Sequence, residues 1–197
     1  MMKTCSLLLP SCVISLLCAP ALAEFSFPQP ERIFLEVEDG KIQKPFKVAT
    51  VTGAGGEKAV ALKDKINKKM GKPPGSEFYE GKIEFKIKVK KEGEYLVWLR
   101  KKWEDGCGNS VYCTINKTMS LKNALIMGED GTHSRLHWIR LGRKPFHLKE
   151  GVNTIRLQNR EDGIKLDMLA MIEFEKDIPL DEQYVPTGTE KANIKPL

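Results

Sequence analysis

Asn159-Arg160-Glu161-Asp162-Gly163-Ile164-Lys165-Leu166-Asp167-Met168-Leu169 joins two alternating apolar runs, Val152 to Leu157 and Leu166 to Phe174, through a short charged turn with one glycine. Asp and Gly are turn formers, so the stretch predicts a hairpin between two strands of a β-sheet. Asp167 is the discordant residue. It falls inside the second strand, in step with Leu169 and Met171, where a carboxylate is costly unless a cation meets it.

The same two-residue period recurs upstream. Ile83, Phe85, Ile87 and Val89 share one face of a strand, and Lys82, Glu84, Lys86, Lys88 and Lys90 the other. Lys91-Glu92-Gly93 turns into Glu94-Tyr95-Leu96-Val97-Trp98-Leu99-Arg100, a run suited to a strand covered on both faces. Val111 to Ile115, Leu136 to Leu141 and Phe146 to Leu148 read as further strands, and Trp103 to Asn109 as a loop. In Ile33 to Glu38, Leu35 and Val37 take one face and Phe34, Glu36 and Glu38 the other, so two like charges lie side by side. Lys63 to Ser76 is a polar loop with room for one helical turn, broken by Pro73-Pro74-Gly75, and Leu121 to Thr132 is ambiguous, with Met119 to Met127 able to form a helix that ends at Gly128. About seven to nine short strands with turns between them predict an all-β antiparallel β-sandwich of jelly-roll type.

The ends of the chain carry a different signal. Met1-Met2-Lys3, the apolar Leu7 to Leu17 and Ala21-Leu22-Ala23 make residues 1–23 a secretory signal peptide. A lipoprotein reading of Cys18 is disfavoured because Leu17, a large residue, precedes it. The sandwich is expected over 24–176 and an extended tail over 177–197. No other apolar run is long enough to span a bilayer. The chain is therefore expected outside the cytoplasm: secreted, periplasmic or at the cell surface. Cys5, Cys12 and Cys18 leave with the leader. Cys107 and Cys113 remain, with a disulfide as the default in an exporting context and two free thiols as the alternative. The formal net charge is +6, and its lysines are spread along strands rather than massed, which fits a solvated sheet face with a bias toward anionic partners. Export argues against a nucleic-acid partner.

Taken in order, several segments resemble the carbohydrate-binding modules of the family 6/35 type, which are galactose-binding-like jelly rolls. They are Leu35-Glu36-Val37-Glu38-Asp39, Gly55 to Val60, Gly93-Glu94-Tyr95-Leu96-Val97-Trp98-Leu99-Arg100 and Gly108-Asn109-Ser110-Val111-Tyr112. Gly151-Val152-Asn153-Thr154-Ile155, Arg160-Glu161-Asp162-Gly163 with Leu166-Asp167, and Tyr184-Val185-Pro186-Thr187-Gly188 complete the series. The resemblance implies a structural calcium ion held by Glu36, Glu38 and Asp167, and oxygen ligands suit that ion. It also implies sugar binding by stacked aromatics and polar side chains, at the loop end of the sandwich or on one sheet face. Trp103 in its loop is the expected platform, with Asn109, Tyr112 and Arg160 beside it, and a Cys107–Cys113 bridge would brace that loop. Trp98 and Trp138, inside strands, are expected in the core. Two features depart from the family pattern. Asn116-Lys117-Thr118 stands where an aspartate-glycine turn is usual, and Ser120 to Arg135 has no counterpart.

Enzyme signatures are weak by comparison. Glu161 and Asp162 are adjacent on a turn and point apart, which does not suit an acid pair across a groove. His133 and His137 have metal-like spacing, but His137 sits in a strand-like run without a third ligand. No nucleophile elbow is present. The expected product is an exported, monomeric, non-catalytic module that binds a polysaccharide or glycan, with a lean to anionic ones. The alternative is a secreted scaffold that keeps the fold without binding sugar.

Overall fold

Alternation of apolar residues with lysine, glutamate and threonine writes strands that bury one face, and two such sheets close on each other. The computed structural model describes residues 31–174; the predicted leader with its three cysteines, the 177–197 tail and the Tyr184–Gly188 segment lie outside the described residues. The strands are β1 (Arg32–Glu36), β2 (Lys41–Ile42), β3 (Lys47–Thr50), β4 (Lys58–Leu62), β5 (Lys82–Val89), β6 (Gly93–Trp103), β7 (Ser110–Ile115), β8 (Leu125–Gly128), β9 (His137–Arg140), β10 (Phe146–Leu148), β11 (Gly151–Gln158) and β12 (Ile164–Glu173). One short helix, α1 (Ile66–Met70), supplies the helical turn expected in the lysine-rich loop. No helix among the described residues is long and apolar enough to cross a membrane.

The larger sheet runs β10-β6-β12-β4-β3, with β1 also on β12 and β9 also on β6; the smaller runs β2-β5-β11-β7-β8. Every pairing is antiparallel. Val60, Leu99, Leu169 and Met171 of the larger sheet meet Ile83, Phe85, Val111 and Ile155 of the smaller in one core. Burial of each such side chain stabilises by about 1.5–3 kcal/mol. The antiparallel jelly-roll sandwich is as expected.

Four local expectations change. The quoted stretch is not a hairpin, because β11 pairs with β5 and β7 whereas β12 pairs with β1, β4 and β6. Residues 159–163 therefore cross from one sheet to the other. Anchors made by Asn159 hold that crossing: its N–H donates to the Gly81 carbonyl, and its amide pairs reciprocally with that of Asn67 in α1.

Asp167 is not in step with Leu169. On β6, Leu166 faces Lys101 and Met168 faces Arg100, so Asp167 is the extra residue of a β-bulge. The bulge shifts the alternation: Leu166, Leu169 and Met171 fill the main core, whereas Met168 and Ala170 join Phe34, Trp98 and Trp138 in a second cluster. Trp98 and Trp138 thus leave the main core, and Phe34 meets Trp138 edge-on at 6.4 Å.

The expected disulfide does not form. Cys113 is buried between Val111 and Ile115 on β7, Cys107 sits in an exposed turn, and both are free thiols. Finally, the ambiguous Met119 to Met127 is not helical: it is a turn leading into β8, the edge of the smaller sheet.

Candidate functional site

On the smaller sheet, β5 and β11 put Ile83, Phe85, Ile155 and Leu157 into the core, which sends Lys82, Glu84, Arg156 and Gln158 to the outer face. The long β4–β5 connection passes along this face. Gln158 Nε2 donates to the Tyr79 carbonyl at 2.6 Å, and the Phe78 ring meets Tyr112 of β7 edge-on at 5.2 Å. Between the connection and the sheet lies a cleft of about 680 Å³. Phe78 and Tyr79 line one side, with Lys82, Glu84, Arg156 and Gln158 on the floor. Arg156 is fixed there: its Nε donates to Glu84 at 2.6 Å, holding that carboxyl below its ordinary value, and an outer nitrogen donates to the Lys117 carbonyl. A half-exposed aromatic pair opposite fixed hydrogen-bonding groups can hold a flat, hydroxylated ligand.

Three of the four expected sugar contacts come together next to this cleft. The Arg160 guanidinium lies 5.7 Å from the Tyr112 ring, donates to Ser110 Oγ and pairs with Glu161 at 2.7 Å and with Glu129 at 2.8 Å. The Asn109 N–H donates to Glu161, and its carbonyl accepts from the Glu129 N–H. Glu161 and Asp162 serve different partners, since Asp162 accepts from the Asn67 N–H. Gly108 lets the turn at 104–109 close against the crossing: a Cβ on it would stand 2.1 Å from the Asp162 carbonyl oxygen. Gly108→Ala is therefore expected to cost about 1–3 kcal/mol, read as a lower urea midpoint.

Trp103 is the fourth, and it is not a platform. It is the last residue of β6, fully buried, because the β8–β9 connection folds over it. Its Nε1 donates to Asp130 at 2.7 Å, and the Ser134 N–H donates to its carbonyl. The same Asp130 carboxylate meets the fully buried Lys101 at 2.8 Å and His137 Nε2 at 2.6 Å. Burial pulls Lys101 down to about 8, against the bond and charge of Asp130, with Arg135 adding repulsion. Burial also works to raise Asp130, but Lys101, Trp103 and His137 outweigh it and hold the acid at about 2. His137 therefore serves a buried ionic knot rather than a metal site.

The three expected calcium ligands lie around the bulge, at the place where β12 exchanges β4 for β1 as its neighbour. Asp167 Oδ1 accepts from the Gly55 N–H at 2.8 Å, and Oδ2 is ion-paired with the buried Arg100. A Cβ on Gly55 would sit 2.5 Å from a Glu36 oxygen, so that carboxylate packs directly against the glycine and would have to move aside for a larger residue. Glu38 Oε2 is buried with no hydrogen-bond partner. Burial raises Glu38 to about 7; a backbone hydrogen bond opposes the rise, and the charges of Glu36, Asp167 and Asp39 add to it. Among the described residues, no group of three or more His, Cys, Asp or Glu side chains stands ready to ligate a metal.

The aromatic wall of the cleft escapes sequence reading. Phe78 and Tyr79 follow Pro73-Pro74-Gly75 in a lysine-rich loop, and two adjacent aromatics in so polar a segment are the one signal that marks them. Arg156 and Gln158 carry none, because alternation alone does not say which outer face is covered.

No family model and no curated protein matches the chain. Solved structures do. The GH26-CBM35 β-(1,4)-mannanase of Podospora anserina matches with a TM-score of 0.55 at 18% identity, over 75% of this chain and 29% of its own. An exo-β-1,3-galactanase of Phanerochaete chrysosporium matches at 0.52 and 15%, over 74% of this chain and 30% of its own. This chain thus spans less than a third of either enzyme. A family 35 carbohydrate binding module from Clostridium thermocellum matches at 0.52 and 18%, over 73% of this chain and 98% of its own. The chain has the β-sandwich fold of the family 35 carbohydrate-binding modules.

Proposed function

We propose that the protein is an exported, non-catalytic carbohydrate-binding module that holds a polysaccharide or glycan across the outer face of the smaller sheet. The cleft of about 680 Å³, with Phe78 and Tyr79 facing Arg156 and Gln158, carries this reading. Aromatic faces pack on the apolar face of a pyranose, and Arg156, Gln158, Glu84 and Lys82 are placed to bond its hydroxyls. Lys44 and the floor residue Lys82, with Lys41 and Lys86 nearby on the sheet, favour an anionic chain. The test is titration calorimetry over a panel of neutral and acidic polysaccharides. Phe78→Ala and Arg156→Ala should each weaken the best ligand by about tenfold or more. A panel with no binder refutes the reading.

A structural calcium ion belongs to the same proposal. Glu36, Glu38 and Asp167 offer only oxygen, Glu38 keeps an unpartnered buried oxygen, and the mutual repulsion at Glu38 is what a divalent cation relieves. The ion would tie the first strand to the last. A group whose folded value lies above its unfolded one binds its proton more tightly when folded. Without calcium, stability should therefore fall as pH rises from about 4.5 to about 7, the window between the two Glu38 values. Glu38→Gln should flatten that fall and remove the calcium response, as read by melting temperature in EGTA and in calcium.

The buried Trp103 favours a second reading, a scaffold that keeps the fold and contacts protein. Leu121, Leu125 and Ile126 stand exposed at and beside the β8 edge and would serve it. An empty glycan panel with an intact fold selects this alternative.

A further inference from the structure

The β8–β9 connection, residues 129–136, belongs to the segment without a counterpart in the family pattern, and it joins two places that are otherwise separate. At Asp130 it is anchored in the buried knot: the carboxylate takes Lys101, the Trp103 indole N–H and His137, while Lys101 Nζ also donates to the Thr132 carbonyl at 3.1 Å. The Ser134 N–H on the Trp103 carbonyl gives a second anchor. One residue earlier, Glu129 has left-handed backbone at φ +63° and donates its N–H to the Asn109 carbonyl. That backbone turns its carboxylate to Arg160 at 2.8 Å. Gly128 before it also has positive φ, and a Cβ there would stand 2.2 Å from the Asn109 carbonyl oxygen. The adjacent Glu129 and Asp130 thus face different partners, one the guanidinium over Tyr112 and the other the buried lysine.

We propose that Asp130 and Glu129 are positioning residues of the sheet-face cleft: Asp130 locks the connection to the core, and Glu129 then holds Arg160 over Tyr112, whose ring braces Phe78 in the cleft wall. The functional part of this inference rests on the cleft being the binding site. Mechanically, Arg160 has three holders, Ser110 and Glu161 on one nitrogen and Glu129 on the other. Glu161 is its sequence neighbour and lies in the crossing, so it travels with the arginine. Ser110, buried on β7, and Glu129, locked to the core through Asp130, hold it from outside the crossing. A wall held in its bound geometry loses less side-chain freedom when a ligand arrives, which raises affinity without adding a contact.

The test uses the protein labelled at arginine side chains, with the Arg160 Nε–Hε signal assigned by its loss in Arg160→Lys. Glu129→Gln keeps the shape and removes the charge. Asp130→Asn strands a buried lysine and is paired with the double variant Lys101→Met/Asp130→Asn, which leaves no unpaired buried cation. In Glu129→Gln and in the double variant the Arg160 signal should shift and its heteronuclear relaxation should report faster motion. The affinity for the glycan chosen by the calorimetric panel should fall by about tenfold at temperatures where the fold is intact. A folded double variant with an unchanged Arg160 signal overturns the proposal. So does a mobile Arg160 with undiminished affinity. If no glycan binds the wild type, the cleft reading fails, while the Arg160 signal still decides the mechanical link.

Discussion

Asp130→Ala should lower the unfolding free energy by about 3–5 kcal/mol, because it leaves Lys101 charged and without its counterion in the protein interior. Lys101 is fully buried, its ammonium lies 4.5 Å from the centre of the Trp103 ring, and after the substitution its remaining polar contact is the Thr132 carbonyl. The indole N–H and His137 lose the same acceptor. Two comparisons separate charge from packing. Lys101→Met/Asp130→Leu should recover most of the loss, since replacing both members of a buried pair by apolar groups is far milder than removing one. The single variant should also lose less at pH 10 than at pH 7, because Lys101, already drawn down to about 8, sheds its proton there without help from a counterion. Urea unfolding at both pH values reads both effects. An equal loss at the two values would mean that shape rather than charge holds the connection down.

Alternation was legible wherever one face of a strand is buried and the other wet. Lys82–Val89 reads as a strand because each lysine or glutamate between Ile83, Phe85, Ile87 and Val89 would be expelled from a core. Sheet assignment was not legible. β11 and β12 flank a short turn with Asp and Gly, as a hairpin would, and their separation is decided by β5, β6 and β7, which offer each strand a longer partner elsewhere. The bulge was hidden for a related reason. A single extra residue changes which side every later position faces, and only the partner strand reveals it. Trp103 was misplaced because its surroundings, Glu104-Asp105-Gly106, are those of a loop, whereas the strand runs three residues past Arg100, through two lysines, to end at Trp103. What buries it comes from Asp130 and Ser134, in a segment with no pattern to read.

These errors share a physical cause that bears on the site. The two sheets differ in what covers their outer faces. The larger sheet's outer face carries its own apolar cluster of Phe34, Trp138, Met168 and Ala170. The smaller sheet's face instead receives a loop that leaves a gap, with the Tyr79 carbonyl held by the Gln158 side-chain amide. A cleft therefore forms where the covering segment is tethered rather than packed, and it is on that side that Tyr112 and Arg160 also emerge.

Asp167→Ala is expected to cost a further, independent 3–5 kcal/mol or about that, and the size of the cost in calcium against EGTA decides what the bulge is for. Asp167 has no exposed side-chain surface and Arg100 almost none, so the alanine strands a buried guanidinium and releases the Gly55 N–H from its acceptor. If the carboxylate serves only Arg100 and Gly55, the difference between wild type and variant is the same in both media. If Asp167 also shares a calcium ion with Glu36 and Glu38, wild type gains about 2.7 kcal/mol at a hundredfold excess over the dissociation constant, and the variant gains little of it. The difference then widens in calcium. Asp167→Asn sharpens the distinction, since its amide oxygen can keep the Gly55 bond while the charge needed by Arg100 and by an ion is gone. Glu38 rather than Asp167 is the residue that favours an ion. Burial is the main cause that raises Glu38 to about 7, the charges of Glu36, Asp167 and Asp39 add to it, and its Oε2 is buried without a hydrogen-bond partner. A divalent cation bound there would favour the ionised carboxylate and give that oxygen a partner, and the widened difference in calcium is the result expected if it binds.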